Sequence, residues 1–389
     1  MQKKNQIPLS LTMMCLVTML LLACSKKEAP VVDATAVVVK IGNVAPLTGP
    51  SAHLGKDNEN GARLAIEEIN QQGLVINGKK ITLELVAEDD ASDPKLGTQV
   101  AQKLVDEKVV AVVGHLNSGV SIPASKIYSE AGIVQISPSS TNPEYTLQGF
   151  KTTYRVVGTD AQQGPVLAHY VMDNLKAKQI AIVDDSTQYG KGLADEFEKT
   201  VIAANGKIVI REATNDKATD FKAILTNLKS KKPEVIFYGG MDATGGPFVK
   251  QAKELGITAK IVSGDGVCSP TLEQLAGDAV ENVICSTVGV PKESLANGEA
   301  FLKHYEERFH TPVEIYSPMA YDAVMVLVDA MKRANATDAA SILAAIPATD
   351  YAGLIGQIRF DEKGDLKQSA ITLNYYKGGK FLTLDVIKM

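Results

Sequence analysis

Two short segments rich in small hydroxyl residues come directly after apolar runs. Residues 114–119 (Gly-His-Leu-Asn-Ser-Gly) follow Val109–Val113, and residues 137–143 (Ser-Pro-Ser-Ser-Thr-Asn-Pro) follow Val134–Ile136. Hydroxyl groups together with the free backbone N–H groups at the start of a helix suit the binding of a carboxylate. Helix capping by Ser and Thr is the alternative interpretation of both segments.

A lone acid in the second half of the chain offers the opposite chemistry. Asp265 stands between Gly264 and Gly266, directly after Lys260–Ser263, which is a predicted strand. The two glycines predict a sharp turn that leaves the carboxylate exposed at the strand end. Facing the two hydroxyl segments, that carboxylate would bind an ammonium group. A turn residue without a ligand is the alternative.

The elements that position these residues follow from a repeated pattern along the chain. From Val37 onwards, short and continuously apolar runs alternate with amphipathic stretches. Such runs predict parallel sheets covered by helices on both faces, a doubly wound α/β fold. Ligands bind such sheets at the carboxyl ends of the strands. At the C-terminus, residues 356–360, 368–375 and 380–387 instead predict antiparallel strands joined by turns.

The N-terminus predicts export from the cytoplasm. Lys3 and Lys4 precede an apolar run of 15 residues, Leu9–Ala23, and a membrane-spanning helix needs about 20. Residues 1–23 are therefore predicted to be an export signal. The ending Leu-Leu-Ala-Cys resembles a bacterial lipobox, which would make Cys24 a lipid anchor and residues 24–37 a tether. An ordinary cleaved signal is the alternative.

Length, charge and cysteine content narrow the class of protein. The chain has 389 residues, more than one hydrophobic core usually serves, so we expect two lobes. It carries 40 basic and 45 acidic residues, which argues against binding nucleic acid. Cys268 and Cys285 form an even pair in an oxidising compartment, which favours a disulfide, with two buried free thiols as the alternative.

Motifs for metal binding, cofactor binding and catalysis are missing from the sequence. The five histidines are scattered, and the acidic runs at residues 89–93 and 361–365 lack the spacing of a calcium loop. There is no nucleophile elbow, phosphate loop or dinucleotide fingerprint. His115 lies only three residues from Ser118 on the same loop, a poor position for its base. We expect no metal, no cofactor and no enzymatic activity.

Ten short motifs follow one another along the chain. They are Gly49-Pro50, Asn60–Ala62, Asp89–Lys95, Gly114–Leu116, Ile136–Pro138, Thr141–Glu144, Gln163–Pro165, Gln188–Gly190, Tyr238–Gly240 and Asp361–Lys367. Each motif is weak alone, and the ordered set is specific. Together with the segments above, the set resembles the leucine/isoleucine/valine-binding family of type I periplasmic binding proteins, which serve branched-chain amino acid ABC transporters.

The resemblance implies two doubly wound parallel-sheet lobes joined by a three-crossing hinge. Residues 38–159 and 289–368 would form lobe 1, and residues 160–288 and 369–389 would form lobe 2. The implied function is that of a monomeric, extracytoplasmic solute-binding component of an ABC importer. It would capture a branched-chain or other aliphatic amino acid and deliver it to an inner-membrane ABC permease. An amide, urea or aromatic acid as ligand, or a sensing role through a partner, are the alternatives.

The resemblance also implies a set of ligand-binding residues. Ser118 and Thr141 would bind the α-carboxylate, while the Ser139 carbonyl and Asp265 would bind the ammonium group. Tyr189 would close over the ligand. The residues around the remainder would be Leu54, Leu116, Asn117, Met241 and Tyr316. The chain departs from the family in two respects, because Asp265 replaces a longer Glu and the often aromatic positions are Leu54 and Met241.

Overall fold

The computed structural model describes residues 36–389. The predicted export signal, the lipid-anchor residue Cys24 and nearly all of the predicted tether lie outside the described residues. Within residues 36–389, no helix has the length and apolar content to cross a membrane.

The described chain forms two mixed sheets and a small two-stranded sheet. In chain order the strands are β1 (Val37–Ala45), β2 (Leu74–Ile76), β3 (Lys79–Asp89), β4 (Ala111–Gly114), β5 (Val134–Ser137), β6 (Thr153–Arg155), β7 (Ile180–Asp184), β8 (Ile208–Ala213), β9 (Val235–Gly239), β10 (Lys260–Ser263), β11 (Val283–Val288), β12 (Tyr351–Gly353), β13 (Gly356–Ile358), β14 (Ala370–Lys377) and β15 (Lys380–Lys388).

The α-helices connect and cover these strands. In chain order they are α1 (Ala52–Gln72), α2 (Pro94–Asp106), α3 (Ser118–Glu130), α4 (Glu144–Leu147), α5 (Asp160–His169), α6 (Gln188–Ala203), α7 (Lys222–Ser230), α8 (Asp242–Glu254), α9 (Pro270–Ala276), α10 (Gly298–Phe309), α11 (Ser317–Ala334) and α12 (Ala339–Ala345).

The first sheet has the strand order β2-β3-β1-β4-β5-β6. Every neighbouring pair is parallel except β2 with β3. Ile66 of α1 and Val324 of α11 pack in one core on this sheet, and Leu104 of α2 and Tyr128 of α3 pack in another. With helices on both faces, a strand such as β4 is buried throughout, which explains its continuously apolar sequence. We call this part lobe 1.

The second sheet has the strand order β15-β14-β11-β10-β9-β7-β8. Strands β7 to β11 are parallel, whereas β14 and β15 add an antiparallel edge. Phe248 of α8 and Leu272 of α9 pack in one of its cores, while Leu167 of α5 and Phe197 of α6 pack in the other. We call this part lobe 2. The two lobes confirm the predicted α/β class.

The chain passes between the lobes three times. It enters lobe 2 after β6, and it returns after β11 to helices that pack on lobe 1, where Phe301 of α10 contacts the core around Leu64 of α1. It enters lobe 2 again to add β14 and β15. Each lobe is therefore made from separate parts of the chain, which makes the three crossings the natural hinge.

The C-terminal strands differ in one respect from the expectation. Residues 370–377 and 380–388 pair as an antiparallel hairpin on lobe 2, as predicted. Residues 356–358, however, pair with β12 in a separate two-stranded sheet. The turn at residues 361–364 closes only an isolated bridge between Phe360 and Leu366. Alternation of apolar residues predicts a strand but does not identify its partner.

Cys268 and Cys285 form a disulfide, which confirms the favoured pairing. Both residues are buried in the core of lobe 2. Cys268 lies in the loop after β10, and Cys285 lies within β11. The bond therefore fastens the loop that carries Asp265 to the neighbouring strand.

Candidate functional site

The hydroxyl residues of lobe 1 meet at one edge of its sheet. Ser118 is the first residue of α3, directly beyond β4, and Thr141 lies in the segment after β5. Both residues are buried, and the backbone N–H of Asn142 donates to Ser118 Oγ over 3.3 Å. The Thr141 hydroxyl lies beside the buried Asp160 carboxyl: burial raises the pKa of Asp160, whereas its hydrogen bond with Thr141 lowers it. The edge thus combines hydroxyls with the first turn of a 13-residue helix, a favourable place for an anion.

Capping and turn formation explain some of these serines but not the whole set. Ser137 Oγ accepts the N–H groups of Ser139 and Ser140, and Ser139 Oγ donates to the Leu116 carbonyl over 3.1 Å. Ser121 Oγ and Ser140 Oγ lie 2.6 Å apart. These side chains hold the two loops together. Thr141 takes no part in this network, so its hydroxyl is not needed to hold the two loops together.

Asp265 lies in the loop after β10 and is the centre of a hydrogen-bond network. Gln163 Nε2 and the Tyr189 hydroxyl donate to Asp265 Oδ1 over 2.8 Å and 2.9 Å, and the Tyr316 hydroxyl donates to Oδ2 over 2.7 Å. Burial raises the pKa of the Asp265 carboxyl above its ordinary value, although these three donors oppose the shift. The expectation of an exposed carboxylate was therefore wrong, because Asp265 is enclosed between the lobes.

The two glycines beside Asp265 are required for a different reason than the one predicted. Neither Gly264 nor Gly266 has a φ in the left-handed region. A Cβ on Gly264 would lie 2.8 Å from the Tyr189 hydroxyl, and one on Gly266 would lie 2.7 Å from Met241 Sδ. The glycines leave room for side chains to reach the loop, rather than permitting an unusual turn.

Tyr316 connects the two lobes. It precedes α11 of lobe 1, and its hydroxyl reaches Asp265 of lobe 2. Its backbone N–H donates to Asp57 Oδ2 over 2.7 Å, and Asp57 also accepts the N–H groups of Glu314 and Ser317. The buried carboxylate of α1 thus fixes the segment that carries Tyr316.

Most of the residues predicted to surround the ligand side chain, which we call the apolar wall, form a single cluster. Leu54 of α1, Leu116 after β4 and Tyr316 are buried together, with Met241 of lobe 2 packed against them. Met241 also contacts the neighbouring cluster that contains Tyr189. Asn117 adjoins this wall in sequence, and its buried Oδ1 has no hydrogen-bond partner among the described residues. The structure thus brings the predicted wall residues of the two lobes together.

Further contacts hold the lobes against each other across the cleft. Asn142 Nδ2 donates to the Gln188 carbonyl at the start of α6 over 2.5 Å. His53 Nε2 of α1 lies 2.7 Å from Asp242 Oδ2, at the first residue of α8. Burial lowers the pKa of His53, but the hydrogen bond and charge of Asp242 outweigh it and leave the pKa above the ordinary value. The described structure is therefore a closed arrangement of the lobes.

Sequence reasoning missed several residues of the site. Gln163 was quoted only as part of a motif, yet it both donates to Asp265 Oδ1 and accepts the Asp265 backbone N–H over 3.0 Å. The pairing of His53 with Asp242 was also missed. The motif Gln163–Pro165 was the signal that the sequence offered for Gln163. Partners more than a hundred residues away do not appear in local patterns.

The remaining candidates for chemistry have structural roles. His115 is fully buried, with Nδ1 2.9 Å from Asp90 Oδ2 and Nε2 3.1 Å from the Tyr128 hydroxyl. Both ring nitrogens are thus engaged away from Ser118. In the acidic runs, Asp93 caps α2 and Asp361 accepts backbone N–H groups within its turn. Within residues 36–389, no group of three or more His, Cys, Asp or Glu residues is arranged to hold a metal ion.

Comparison with known proteins identifies relatives of this chain. Residues 38–380 match the sequence pattern of the family described as periplasmic binding protein. Leu/Ile/Val-binding protein homolog 1 of Brucella abortus (strain 2308) is 39% identical over 342 residues, which are 88% of this chain and 91% of that protein. The leucine-, isoleucine-, valine-, threonine- and alanine-binding protein of Pseudomonas aeruginosa is 36% identical over 335 residues, 86% of this chain and 89% of that protein.

A solved structure has the same architecture. The branched-chain amino acid transporter substrate binding protein LivJ from Streptococcus pneumoniae, in complex with isoleucine, superposes with a TM-score of 0.83. It is 30% identical in sequence, and the match covers 91% of this chain and 100% of that one. The likeness therefore extends over both lobes.

Proposed function

This chain belongs to the periplasmic binding protein family, and from that premise we propose that it is the solute-binding component of an ABC importer. It captures a small aliphatic amino acid, such as a branched-chain one, between its two lobes. It then delivers the ligand, enclosed, to an inner-membrane ABC permease. The observation that carries this proposal is the carboxylate of Asp265, which is enclosed between the lobes and accepts a hydrogen bond from Tyr316 of lobe 1.

The polar groups of the cleft match the two ends of an amino acid. Ser118 and Thr141 supply hydroxyls, and the first turn of α3 supplies free N–H groups, so this edge suits the α-carboxylate. The Ser139 carbonyl and Asp265 suit the ammonium group. Asp265 is buried, and a buried carboxylate is stabilised by a cationic partner.

The apolar cluster sets the class of side chain. By the family resemblance, Leu54 and Met241 would occupy positions that are often aromatic in leucine-binding members. Both side chains are flexible and apolar, and Met in particular adapts its shape to its neighbours. We infer that this wall accepts an aliphatic ligand side chain, with Tyr189 closing over the ligand.

We also infer that the protein works outside the cytoplasm as a lipid-anchored monomer. The export signal in residues 1–23 and the lipobox ending at Cys24 support this inference. Replacing Cys24 by Ser should release the protein from the membrane fraction. Recovery of the wild-type protein in the soluble fraction, with a mature N-terminus beyond Cys24, would contradict the anchor.

A thermal-shift screen of the wild-type protein against all amino acids and small carboxylates tests the proposal. A ligand that binds only the folded state stabilises it by RT ln(1 + [L]/Kd), about 2.7 kcal/mol at a hundredfold excess over Kd. We expect aliphatic amino acids to raise the melting temperature most. A clear shift with a ligand that lacks an ammonium group, and none with any amino acid, would refute the assignment.

A further inference from the structure

An acid of lobe 1 lies beside the contact that joins the two lobes. Glu314 belongs to the segment between α10 and α11, and its backbone N–H donates to Asp57 Oδ1 over 3.0 Å. Glu314 Oε2 is buried and has no hydrogen-bond partner among the described residues. A buried carboxylate without a partner is unfavourable while it is charged, and protonation removes that penalty. The protonation state of Glu314 therefore affects how readily this region can be enclosed.

Part of the enclosure around Glu314 is supplied by lobe 2. Glu314 lines a cavity of about 330 Å³ that is also lined by Pro270 of α9 and Phe381 of β15. Both of these residues belong to lobe 2, so they move away from lobe 1 when the cleft opens. Opening therefore returns Glu314 to water, and closure buries it.

Closure also brings a second acid towards Glu314. Asp242 of lobe 2 is fully buried, and its Oδ2 lies 2.7 Å from His53 Nε2 of lobe 1. Burial raises the pKa of the Glu314 carboxyl to about 7, and the charges of Asp57 and Asp242 contribute to the rise. The positive charges of His53 and Lys292 oppose it. Because Asp242 belongs to the other lobe, its share of this effect exists only in the closed arrangement.

Asp242 is also built into the loop that carries Asp265. The backbone N–H of Asp242 donates to the Gly266 carbonyl over 2.8 Å, and the Ser269 hydroxyl donates to Asp242 Oδ2. Asp242 thus holds this loop of lobe 2 while its carboxylate contacts His53 of lobe 1. Any change in the charges around Asp242 therefore acts directly beside the ligand site.

Two phenols also face these acids. The Tyr376 hydroxyl of β14 donates to the Ser269 carbonyl over 2.9 Å. Burial raises the pKa of this hydroxyl, and the charges of Glu273 and Asp242 add to the rise. Burial likewise raises the pKa of the Tyr316 hydroxyl well above its ordinary value. Both phenols stay protonated at neutral pH, so they add no charge to the cluster.

We propose that Glu314, His53 and Asp242 form a proton-dependent latch, in which protonation of Glu314 favours closure of the cleft. This inference rests on the proposed function, because the latch acts on the closure that captures the amino acid. When Glu314 is charged, closure buries that charge and places it near the charge of Asp242. When Glu314 is protonated, neither penalty arises. The protein therefore holds its ligand more tightly in a mildly acidic medium than in an alkaline one.

The direction of the pH dependence follows from the linkage between closure and protonation. A group whose pKa is higher in the closed state takes up a proton on closure. The contribution of Glu314 is therefore fully present below its open-state pKa and is lost as pH rises through the closed-state value of about 7. At pH 7 the enclosed carboxyl is half protonated, so closure should take up about half a proton through Glu314.

Isothermal titration calorimetry with L-leucine tests the latch on wild-type protein and on Glu314→Gln. Gln resembles the protonated form of Glu, so the variant should bind at least about threefold more tightly than the wild type at pH 8. This advantage should shrink by about three- to tenfold at pH 6, where the wild type gains its own proton more easily. At pH 7, titrations in buffers of different ionisation enthalpy should show about half a proton less uptake by Glu314→Gln.

A matched control is available on the same lobe. Glu130 is an exposed acid at the end of α3 with a side chain that is 68% accessible. Glu130→Gln removes the same charge without touching the cleft, so it should bind L-leucine like the wild type at both pH values. Equal gains of affinity in Glu130→Gln and Glu314→Gln would show that only the net charge of the protein matters, and would overturn the latch.

The outcomes separate this inference from the proposed function. If wild-type protein binds L-leucine, and Glu314→Gln differs from it neither in proton uptake nor in pH dependence, the latch is refuted although the transport role stands. If wild-type protein binds no amino acid, the proposed function itself fails. Small-angle X-ray scattering of the ligand-free protein then decides the latch, which predicts a smaller radius of gyration at pH 6 than at pH 8. An equal radius at both pH values would overturn it.

A second variant keeps the test decisive if Glu314→Gln does not fold. The His53 side chain is 24% accessible, so His53→Gln disturbs little of the core. Its pH signature is the opposite of that of Glu314→Gln, because it removes a group that favours closure when protonated. His53→Gln should bind L-leucine more weakly than the wild type at pH 6, and the difference should diminish at pH 8. The same affinity as the wild type at both pH values would contradict the latch.

Discussion

At the lobe 1 edge of the cleft, Ser118 and Thr141 present hydroxyls beside the first turn of α3, whereas at the lobe 2 edge Asp160 and Asp265 are buried carboxylates. One edge donates hydrogen bonds and favours negative charge, and the other accepts them and favours positive charge. Neither lobe alone offers both. A zwitterionic ligand can therefore contact the hydrogen-bonding groups for both of its ends only when the lobes are closed.

Removing the charge at the lobe 2 edge should have the largest effect. Asp265→Asn nearly preserves shape but leaves the ligand ammonium without this counter-ion. Loss of one partner of a buried charged pair costs about 3–5 kcal/mol, roughly a hundredfold to a few thousandfold in Kd. Calorimetry with the amino acid that gives the largest thermal shift checks this. The control is Asp173→Asn, because Asp173 is an exposed acid with a side chain that is 70% accessible. Affinity within threefold of wild type would mean that Asp265 only shapes its loop.

A comparable substitution at the lobe 1 edge should reduce the binding affinity less. Ser118→Ala removes one hydroxyl but leaves the backbone N–H donors at the start of α3. The expected loss is about 1–3 kcal/mol, measured by the same calorimetry. The comparison between the edges would break down if Ser118→Ala weakened binding more than Asp265→Asn. In that case the hydroxyl edge, and not the carboxylate edge, would dominate recognition.

The contact between His53 of lobe 1 and Asp242 of lobe 2 provides a smaller, pH-dependent effect. The pKa of His53 is raised in the closed arrangement, so protonated His53 favours closure. This contribution is fully present below the ordinary pKa of His, about 6.5, and is lost as pH rises through the raised value. We expect His53→Gln to weaken ligand binding by about 0.5–1 kcal/mol at pH 6.

The pH series for this pair needs the ratio of two affinities rather than a single curve, because a change of pH also affects other ionisable groups of the protein and of the ligand. The ratio of wild-type to His53→Gln affinity should be largest at pH 6 and should fall towards one as pH rises through the raised pKa of His53. A ratio that stays constant across this range would show that His53 does not act through its charge.

The sequence predicted those parts of the site that follow directly from the strand pattern. In parallel sheets the residues just beyond the strands meet at one edge, so local patterns indicated Asp265 and the two hydroxyl segments. The choice of Ser118 and Thr141 within those segments came from the family resemblance. The family resemblance supplied the wall residues Leu54 and Met241, which pack in the same cluster. Their roles toward a ligand remain predictions.

Contacts between the lobes across the cleft could not be predicted from local sequence patterns. Gln163 and Asp265 are 102 residues apart, and His53 and Asp242 are 189 apart. Such pairings depend on how two separately folded lobes meet, which neither periodicity nor composition records.

The most direct test of the account removes each end of the ligand in turn. Wild-type protein would be titrated with L-leucine, with 4-methylpentanoic acid, which lacks the ammonium group, and with 3-methylbutylamine, which lacks the carboxylate. The account predicts that both shortened ligands bind at least a hundredfold more weakly than leucine, because each loses the partners of one cleft edge. Binding of 4-methylpentanoic acid within threefold of leucine would contradict it.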